Sequence, residues 1–386
     1  MNSPKAHDDT TWPRWVDTEL RSIQEQGRWR APQDFDAAGP SGTRTFDGRD
    51  MVSFASNDYL GLGHHPAVIA AAHIALDRWG AGAGAARLIV GSRPIHSALE
   101  AALASWKNAD QAVLFPTGFA ANLGTITTFA GPDTLVISDE LNHASIVDAC
   151  RLSKAEVAVY PHVDLGRVEA LLTRSNRRRV IVVTDSVFSM DGDSAPVNEL
   201  AVLCERYGAL LILDEAHAVL GPALAPTQAS IIRVGTLSKM LGSLGGFAAT
   251  DRAKAELIVN RARSYIFTTA SSPADVAAAY AALTIVESPE GEALRNRLRG
   301  HIERVRPGHR SPIIPVLLGD EQRALAFSRM LENRGLLVPA IRPPTVAAGT
   351  SRLRIALSAS HTDEQVGALI DALHELDALG ERGTDA

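Results

Sequence analysis

The sequence predicts an α/β fold built on a mainly parallel seven-stranded sheet covered by helices, with a smaller α+β domain after it, and three observations carry that prediction. Between positions 111 and 250, short apolar runs alternate with helical stretches, the pattern of strands buried on both faces by helices. Polar residues from distant segments fall at the carboxyl ends of these runs, where open α/β sheets keep their binding crevice. With 386 residues, 46% of them hydrophobic and 21% charged, the chain can bury one large core and a smaller one.

Taken in order, residues 1–50 read as an N-terminal arm with one helix near 15–26. The large domain is expected over 51–285, with AVLF, TLVIS, EVAVY, VIVVT, LLILD, IIRVGT and GGFAAT as its seven strands. From about Ala274 the pattern changes to a helix through Val286, a second through Arg306, IIPVLL as a strand, and a helix over 321–334. LLVPAI and SRLRIAL read as further strands and 362–379 as a final helix, so that 286–386 forms the smaller domain. No internal repeat or low-complexity tract interrupts this order.

A formal charge of -6 offers no electrostatic grip on nucleic acid, and Arg177-Arg178-Arg179 reads as a solvated loop. MNSPKAHDDTTWPRW lacks a basic segment followed by an apolar one, and no apolar run reaches the ~18 residues of a membrane helix, so a cytoplasmic protein without membrane contact is expected. Cys150 and Cys204 sit in separate helical patterns and read as packing residues. His64-His65 before Pro66 reads as a turn, and no metal site is expected.

The segment Leu213-Asp214-Glu215-Ala216-His217 contains DEAH, yet no G-x-x-x-x-G-K-[ST] loop exists to cradle a triphosphate, which excludes a helicase. Gly80-Ala-Gly82-Ala-Gly84 follows a helical pattern instead of a strand, which argues against a dinucleotide site.

Lys239 follows an apolar strand in Gly235-Thr236-Leu237-Ser238-Lys239. An ammonium at a buried strand end is costly. Condensation with an aldehyde as a Schiff base removes the charge, and the Thr236 and Ser238 hydroxyls can bind a phosphate, which together point to pyridoxal phosphate (PLP). Read alone, the lysine could equally snorkel from a loop. Asp214 ends another strand, where a carboxylate can pair with a protonated pyridine nitrogen; alone it would read as a helix cap. His217 is spaced to reach the same ring's hydroxyl. Ser189, placed near the end of VIVVT, could donate to that oxygen or simply form the turn before Asp191-Gly192.

Phe115-Pro-Thr-Gly118-Phe119 runs from strand into helix, and the free N–H groups of such a helix start make a phosphate site. His143 in Leu141-Asn-His143-Ala-Ser145 could stack on a planar ring or belong to a capping cluster.

These segments resemble the α-oxoamine synthases, PLP enzymes of the aspartate-aminotransferase fold (fold type I). The resemblance runs through SNDYLGL (56–62), GAGAGAARLIVGS, PTGFAAN, LNHAS, VFSMDGDSAP, LDEAHAVLG, GTLSK, and IRPPTV followed by GTSRLRI, about nine-tenths of the chain. The last pair is most similar to the members that condense L-alanine with a pimeloyl thioester, on coenzyme A or acyl carrier protein, in biotin biosynthesis. IVGSRPIH, where SGTHPLH-like spellings are usual, and Met240-Leu241 after the lysine are small departures that remove no catalytic group.

The resemblance implies that Lys239 is cofactor anchor and general base, Asp214 the pyridinium partner, and His217 with Ser189 the ring-oxygen contacts. It implies stacking by His143, phosphate binding by Gly118, Phe119 and Thr236, and Thr268 or Thr269 reaching across a homodimer interface. Arg354, or its neighbour Arg352, would clamp the amino-acid carboxylate, and Arg28 and Thr345 would meet the acyl chain. The competing readings are a ligase joining glycine to acetyl-CoA, an aminotransferase, and a non-enzymatic PLP-binding regulator, for which the N-terminal arm leaves no room for a DNA-binding domain.

Overall fold

The computed structural model describes residues 11–382. The opening decapeptide, on which part of the expectation of no leader rests, lies outside the described residues.

Helix α1 (Trp12–Glu25) begins with Pro13 in its first turn and buries none of its residues. It is followed by three short strands, β1 (Phe35–Ala37), β2 (Ser41–Arg44) and β3 (Arg49–Ser53), paired as an antiparallel meander. The expected arm therefore carries sheet as well as helix. Helices α2 (Pro66–Trp79) and α3 (Pro94–Trp106) both start on proline, which suits the first turn because its missing N–H has no partner there. His65 caps α2 by accepting the Ala67 N–H at 3.2 Å, as a turn before Pro66 requires.

All seven expected strands of the large sheet form: β4 (Gln111–Phe115), β5 (Thr134–Asp139), β6 (Glu156–Tyr160), β7 (Arg179–Asp185), β8 (Leu210–Asp214), β9 (Ser230–Thr236) and β10 (Gly246–Thr250). Their order is β4-β10-β9-β8-β7-β5-β6, and β10 alone runs antiparallel to both neighbours. It can do so because a short loop, not a crossover helix, joins β9 to β10.

The period of two divides the core. Val113, Phe115, Ile212 and Val234 pack with α4 (Gly118–Phe129), α5 (Ala144–Ser153) and α8 (Arg252–Arg261). Leu211, Leu213, Ile137 and Val182 face the other way, onto α6 (Leu165–Arg174) and α7 (Val197–Tyr207). Cys150 and Cys204 are buried free thiols, each pushed up by burial, to about 11 and about 12.

A short helix α9 (Arg263–Ile266) and the long α10 (Pro273–Val286) lead to α11 (Pro289–Val305), β11 (Ile313–Gly319) and α12 (Glu321–Glu332). The expected helix over 321–334 stops early because Gly335 turns to a φ of +76°. LLVPAI divides into β12 (Leu336–Leu337) and β13 (Ala340–Ile341), since Pro339 has no N–H to continue a ladder. Strand β12 pairs parallel with β3, whereas β13 joins β14 (Ser351–Ala356) and β11 in a three-stranded antiparallel sheet. The last helix, α13 (Asp363–Arg382), starts with a reciprocal cap: Thr362 Oγ1 accepts the Gln365 N–H and Gln365 Oε1 accepts the Thr362 N–H. Among the described residues no helix is long and apolar enough to cross a membrane.

Candidate active site

Strands β7 and β8 end level with each other and β9 runs two residues further, and the chain beyond β4 and β5 turns onto the same rim. There, eight residues singled out by the sequence line one cavity of about 200 Å³: Gly118, Phe119, His143, Asp214, His217, Thr236, Ser238 and Lys239. Thr117, Asn122, Ser145 and Asp185 line it as well. A larger open cleft of about 580 Å³ lies by Lys107, Ser230 and Thr250, at the start of β9 and the far end of β10. Lys107 and Arg233 in its lining both pair with Glu215, each at 2.7 Å.

The cavity is polar in a specific way. Thr117 caps α4 by accepting the Ala120 N–H at 3.0 Å, and the Gly118 and Phe119 N–H groups belong to a first turn that has no intrahelical acceptors for them. A Cβ on Gly118 would stand 3.2 Å from Thr236 Cβ, so glycine lets the helix start approach β9. Thr236 Oγ1 donates to the Gly245 carbonyl at 3.0 Å and meets Ser238 Oγ at 2.8 Å.

Lys239 is half-buried, and its amine makes no hydrogen bond or ion pair with another described residue. Burial lowers its pKa from the usual range, against the opposing pull of Asp214 and Asp185. Asp214 is buried and accepts from Asn122 Nδ2 at 2.6 Å and from the Ala216 N–H at 2.9 Å. His217 Nδ1 lies 2.6 Å from the Tyr59 hydroxyl, and burial, then the nearby Lys239, hold it well below the usual imidazole range. His143 caps α5 through Nδ1, and its own N–H reaches Asp185 Oδ2 at 2.7 Å.

An unpartnered amine of lowered pKa, a buried carboxylate, a neutral imidazole, a helix start and paired hydroxyls suit the aldehyde, pyridine nitrogen, ring oxygen and phosphate of PLP. Residues 49–373 match the family model for aminotransferase class I and II. A curated relative from Anaeromyxobacter dehalogenans named 8-amino-7-oxononanoate synthase is 47% identical over 377 residues, 93% of this chain and 94% of the relative. The chain belongs to the 8-amino-7-oxononanoate synthases, within the aminotransferase class I and II family.

Solved structures agree with the family. A serine palmitoyltransferase from S. paucimobilis, bound to a PLP–myriocin aldimine, superposes with a TM-score of 0.87 at 28% identity, covering 95% of this chain and 98% of that one. An 8-amino-7-oxononanoate synthase from Francisella tularensis gives a TM-score of 0.72 at 26% identity over 86% of this chain and 99% of that one.

In this member of the synthase family, other expected residues lie outside the cavity wall. Strand β7 ends at Asp185, which takes the rim place expected of Ser189; the Ser189 carbonyl instead accepts from Arg354 Nε at 2.6 Å. Arg352 and Arg354 are both buried, but Arg352 is committed to Asp191 and to the Thr350 carbonyl. Arg354 reaches Asn57 Oδ1 at 3.0 Å, and its charge acts on Lys239, His217 and Tyr59, so it is the arginine on the cavity side. Arg28 pairs with Glu321 at 3.2 Å and Thr345 is exposed; Arg342 Nη1, donating to the Gly27 carbonyl at 2.8 Å, ties their two loops together. Thr268 and Thr269 sit between α9 and α10 and are not among the residues lining this chain's cavity. Among the described residues no three His, Cys, Asp or Glu side chains could hold a metal ion.

Five participants escaped the sequence reading: Asn57, Tyr59, Asn122, Ser145 and Asp185. Asp185 had a visible signal, since VIVVTD ends on an aspartate as LLILD does. Asn122 is one of three polar side chains on the buried side of α4, with Thr125 and Thr128.

Proposed function

We propose that the chain condenses L-alanine with a pimeloyl thioester, releasing carbon dioxide and the free thiol carrier and giving 8-amino-7-oxononanoate, in biotin biosynthesis. The observation that carries this reading is the unpartnered Lys239 amine, set among Asp214, His143 and His217 in one cavity. PLP, when bound, supplies an aldehyde that captures the amino group and a ring that accepts the electron pair left at the α-carbon.

The chain's residues do the rest. Lys239, whose pKa burial lowers, takes the α-proton and later returns it. Asp214 would pair with the ring nitrogen, a preorganised electrostatic role. His217 would face the ring oxygen, Ser189 could reach it only if its turn moved toward the rim, and Gly118, Phe119, Thr236 and Ser238 would hold the phosphate. His143 would lie against the ring, and Arg354 would bind the alanine carboxylate bidentately, with Arg352 bracing the turn through Asp191. Arg28 and Thr345 meet the acyl chain. The carrier is coenzyme A or acyl carrier protein.

A homodimer is part of the proposal, with Thr268 or Thr269 completing the partner's site. Its support is that Phe119 and Leu244, at the cavity, and Phe267, beside the two threonines, are large apolar side chains left exposed in the single chain. A cytoplasmic setting is supported by the two free thiols.

The test incubates the PLP-loaded protein with pimeloyl-CoA and either L-alanine or glycine, identifies the product by mass spectrometry and follows free thiol. Formation of 8-amino-7-oxononanoate from alanine is expected; in a parallel incubation with acetyl-CoA, product from acetyl-CoA and glycine alone would replace this reading with the glycine ligase.

A further inference from the structure

One hydrogen-bonded chain crosses the cavity floor from His143 to Asp214, through two residues that the reaction above does not use. Ser145 Oγ lies 2.7 Å from His143 Nδ1, Asn122 Nδ2 lies 2.9 Å from Ser145 Oγ, and the same Nδ2 lies 2.6 Å from Asp214 Oδ2. Asn122 and Ser145 are both buried, as is Asp214, so water does not compete for these bonds.

Every donor in the chain can be assigned. A carboxylate only accepts, so the amide of Asn122 must turn its nitrogen, not its oxygen, to Asp214. The second hydrogen of that nitrogen goes to Ser145 Oγ. His143 Nδ1 already accepts the Ser145 backbone N–H at 3.2 Å, as the cap of α5. That nitrogen therefore carries a lone pair, and the Ser145 hydroxyl hydrogen points at it. Asn122 Oδ1 is left buried with no hydrogen-bond partner. Leaving an acceptor unpaired is costly, and turning the amide over would replace that cost with two acceptors in contact at Asp214.

We propose that Asn122 and Ser145 are positioning residues that fix His143 as the neutral imidazole with its proton on Nε2, and that couple its orientation to that of Asp214. Two donors at Nδ1 oppose a second proton there, because an imidazolium would have to displace both. Burial lowers the His143 pKa further, Asp214 opposes that shift, and Lys239 adds to it. Asp185, on β7, faces the His143 backbone N–H, and His217 stands within electrostatic range on the β8 side.

For the condensation reading, on which this consequence rests, His143 is a hydrogen-bond donor to a substrate carbonyl oxygen and Lys239 is left as the base. An Nε2–H imidazole cannot take a proton at the nitrogen it offers, whereas the Lys239 amine can.

The experiment is nitrogen-15 NMR of histidine-labelled, cofactor-free protein, with the His143 signals assigned from a His143→Gln variant. Wild type is expected to show His143 with a protonated Nε2 and an unprotonated Nδ1 near neutral pH. Ser145→Ala removes one donor to Nδ1, so its His143 is expected to mix tautomers and to protonate at higher pH than in wild type, while Ser145→Thr restores the wild-type spectrum. Asn122→Leu is expected to weaken the same signature and to lower kcat/KM of the PLP-loaded enzyme about tenfold, the scale of one buried hydrogen bond. A wild-type His143 protonated on Nδ1, or a tautomer indifferent to Ser145→Ala, would overturn the assignment. Neither result depends on which acyl thioester is the substrate, so failure of the proposed reaction leaves this test standing.

Discussion

Asp185 and Asp214 are register partners on the adjacent parallel strands β7 and β8, both buried at the same rim. Burial first, and the Asp214 charge second, push the Asp185 carboxyl well above the usual carboxylate range. A carboxyl raised in the folded state binds a proton that the unfolded chain has already lost, so Asp185 lowers stability as pH rises from about 4 toward its folded value. Asp185→Asn keeps an acceptor for the His143 N–H and removes that pH dependence. In cofactor-free protein, urea unfolding at pH 5 and pH 8 should show the variant gaining on wild type at the higher pH by on the order of 1–3 kcal/mol. An equal difference at both values would contradict the raised carboxyl.

Lys239→Ala is expected to fold and to lose turnover completely, since no other described amine lines the cavity. The lowered lysine pKa has a stability signature too. A folded amine that sheds its proton before the unfolded one stabilises the fold as pH rises through its folded value toward about 10. Cofactor-free wild type should show that gain and Lys239→Ala should lack it; measurable steady-state activity in the purified variant would refute the role of base and anchor.

The two arginines of β14 should separate by kinetics. Arg354→Lys keeps the charge but loses the fork that grips a carboxylate, so alanine KM should rise about 100-fold with a smaller change in kcat. Arg352→Met leaves Asp191 without its partner and should cost about 1–3 kcal/mol in urea unfolding, with alanine KM changed by less than about threefold. Reversal of the two patterns would exchange the assignments.

Tyr59 is fully buried, and burial raises its pKa to about 12, so the phenol keeps its proton. It bridges Asn57 Oδ1 at 3.1 Å and His217 Nδ1 at 2.6 Å, which links the Arg354 side of the cavity to the ring-oxygen side. Tyr59→Phe preserves the packing and removes both bonds. A drop in kcat of about tenfold, with the pH dependence of the cofactor's absorbance displaced, is expected; an unchanged absorbance titration would show that His217 is positioned without it.

Much of this arrangement was legible in the sequence because it depends on local rules. Alternation of apolar runs with helical stretches fixed the seven strands, and a strand's carboxyl end is the rim of the crevice wherever neighbours run parallel. That put Asp214, His217, Lys239 and Ser189 on one edge, and the first three do line the cavity whereas Ser189 does not. Other features depend on distances between segments far apart in the chain, which periodicity does not encode. Every residue of β14 is buried, Arg352 and Arg354 lie on the same face of it, and only the turn at Ser189 and Asp191 distinguishes them. Likewise, the alignment of Asp185 with Asp214 is a matter of register, and the Asn122 amide acquires its meaning from a carboxylate 92 residues away. The sequence by itself determined the elements and the chemical groups at the rim; the tertiary structure decided which of them touch, because hydrogen bonds depend on ångström-scale geometry that only the packed sheet sets.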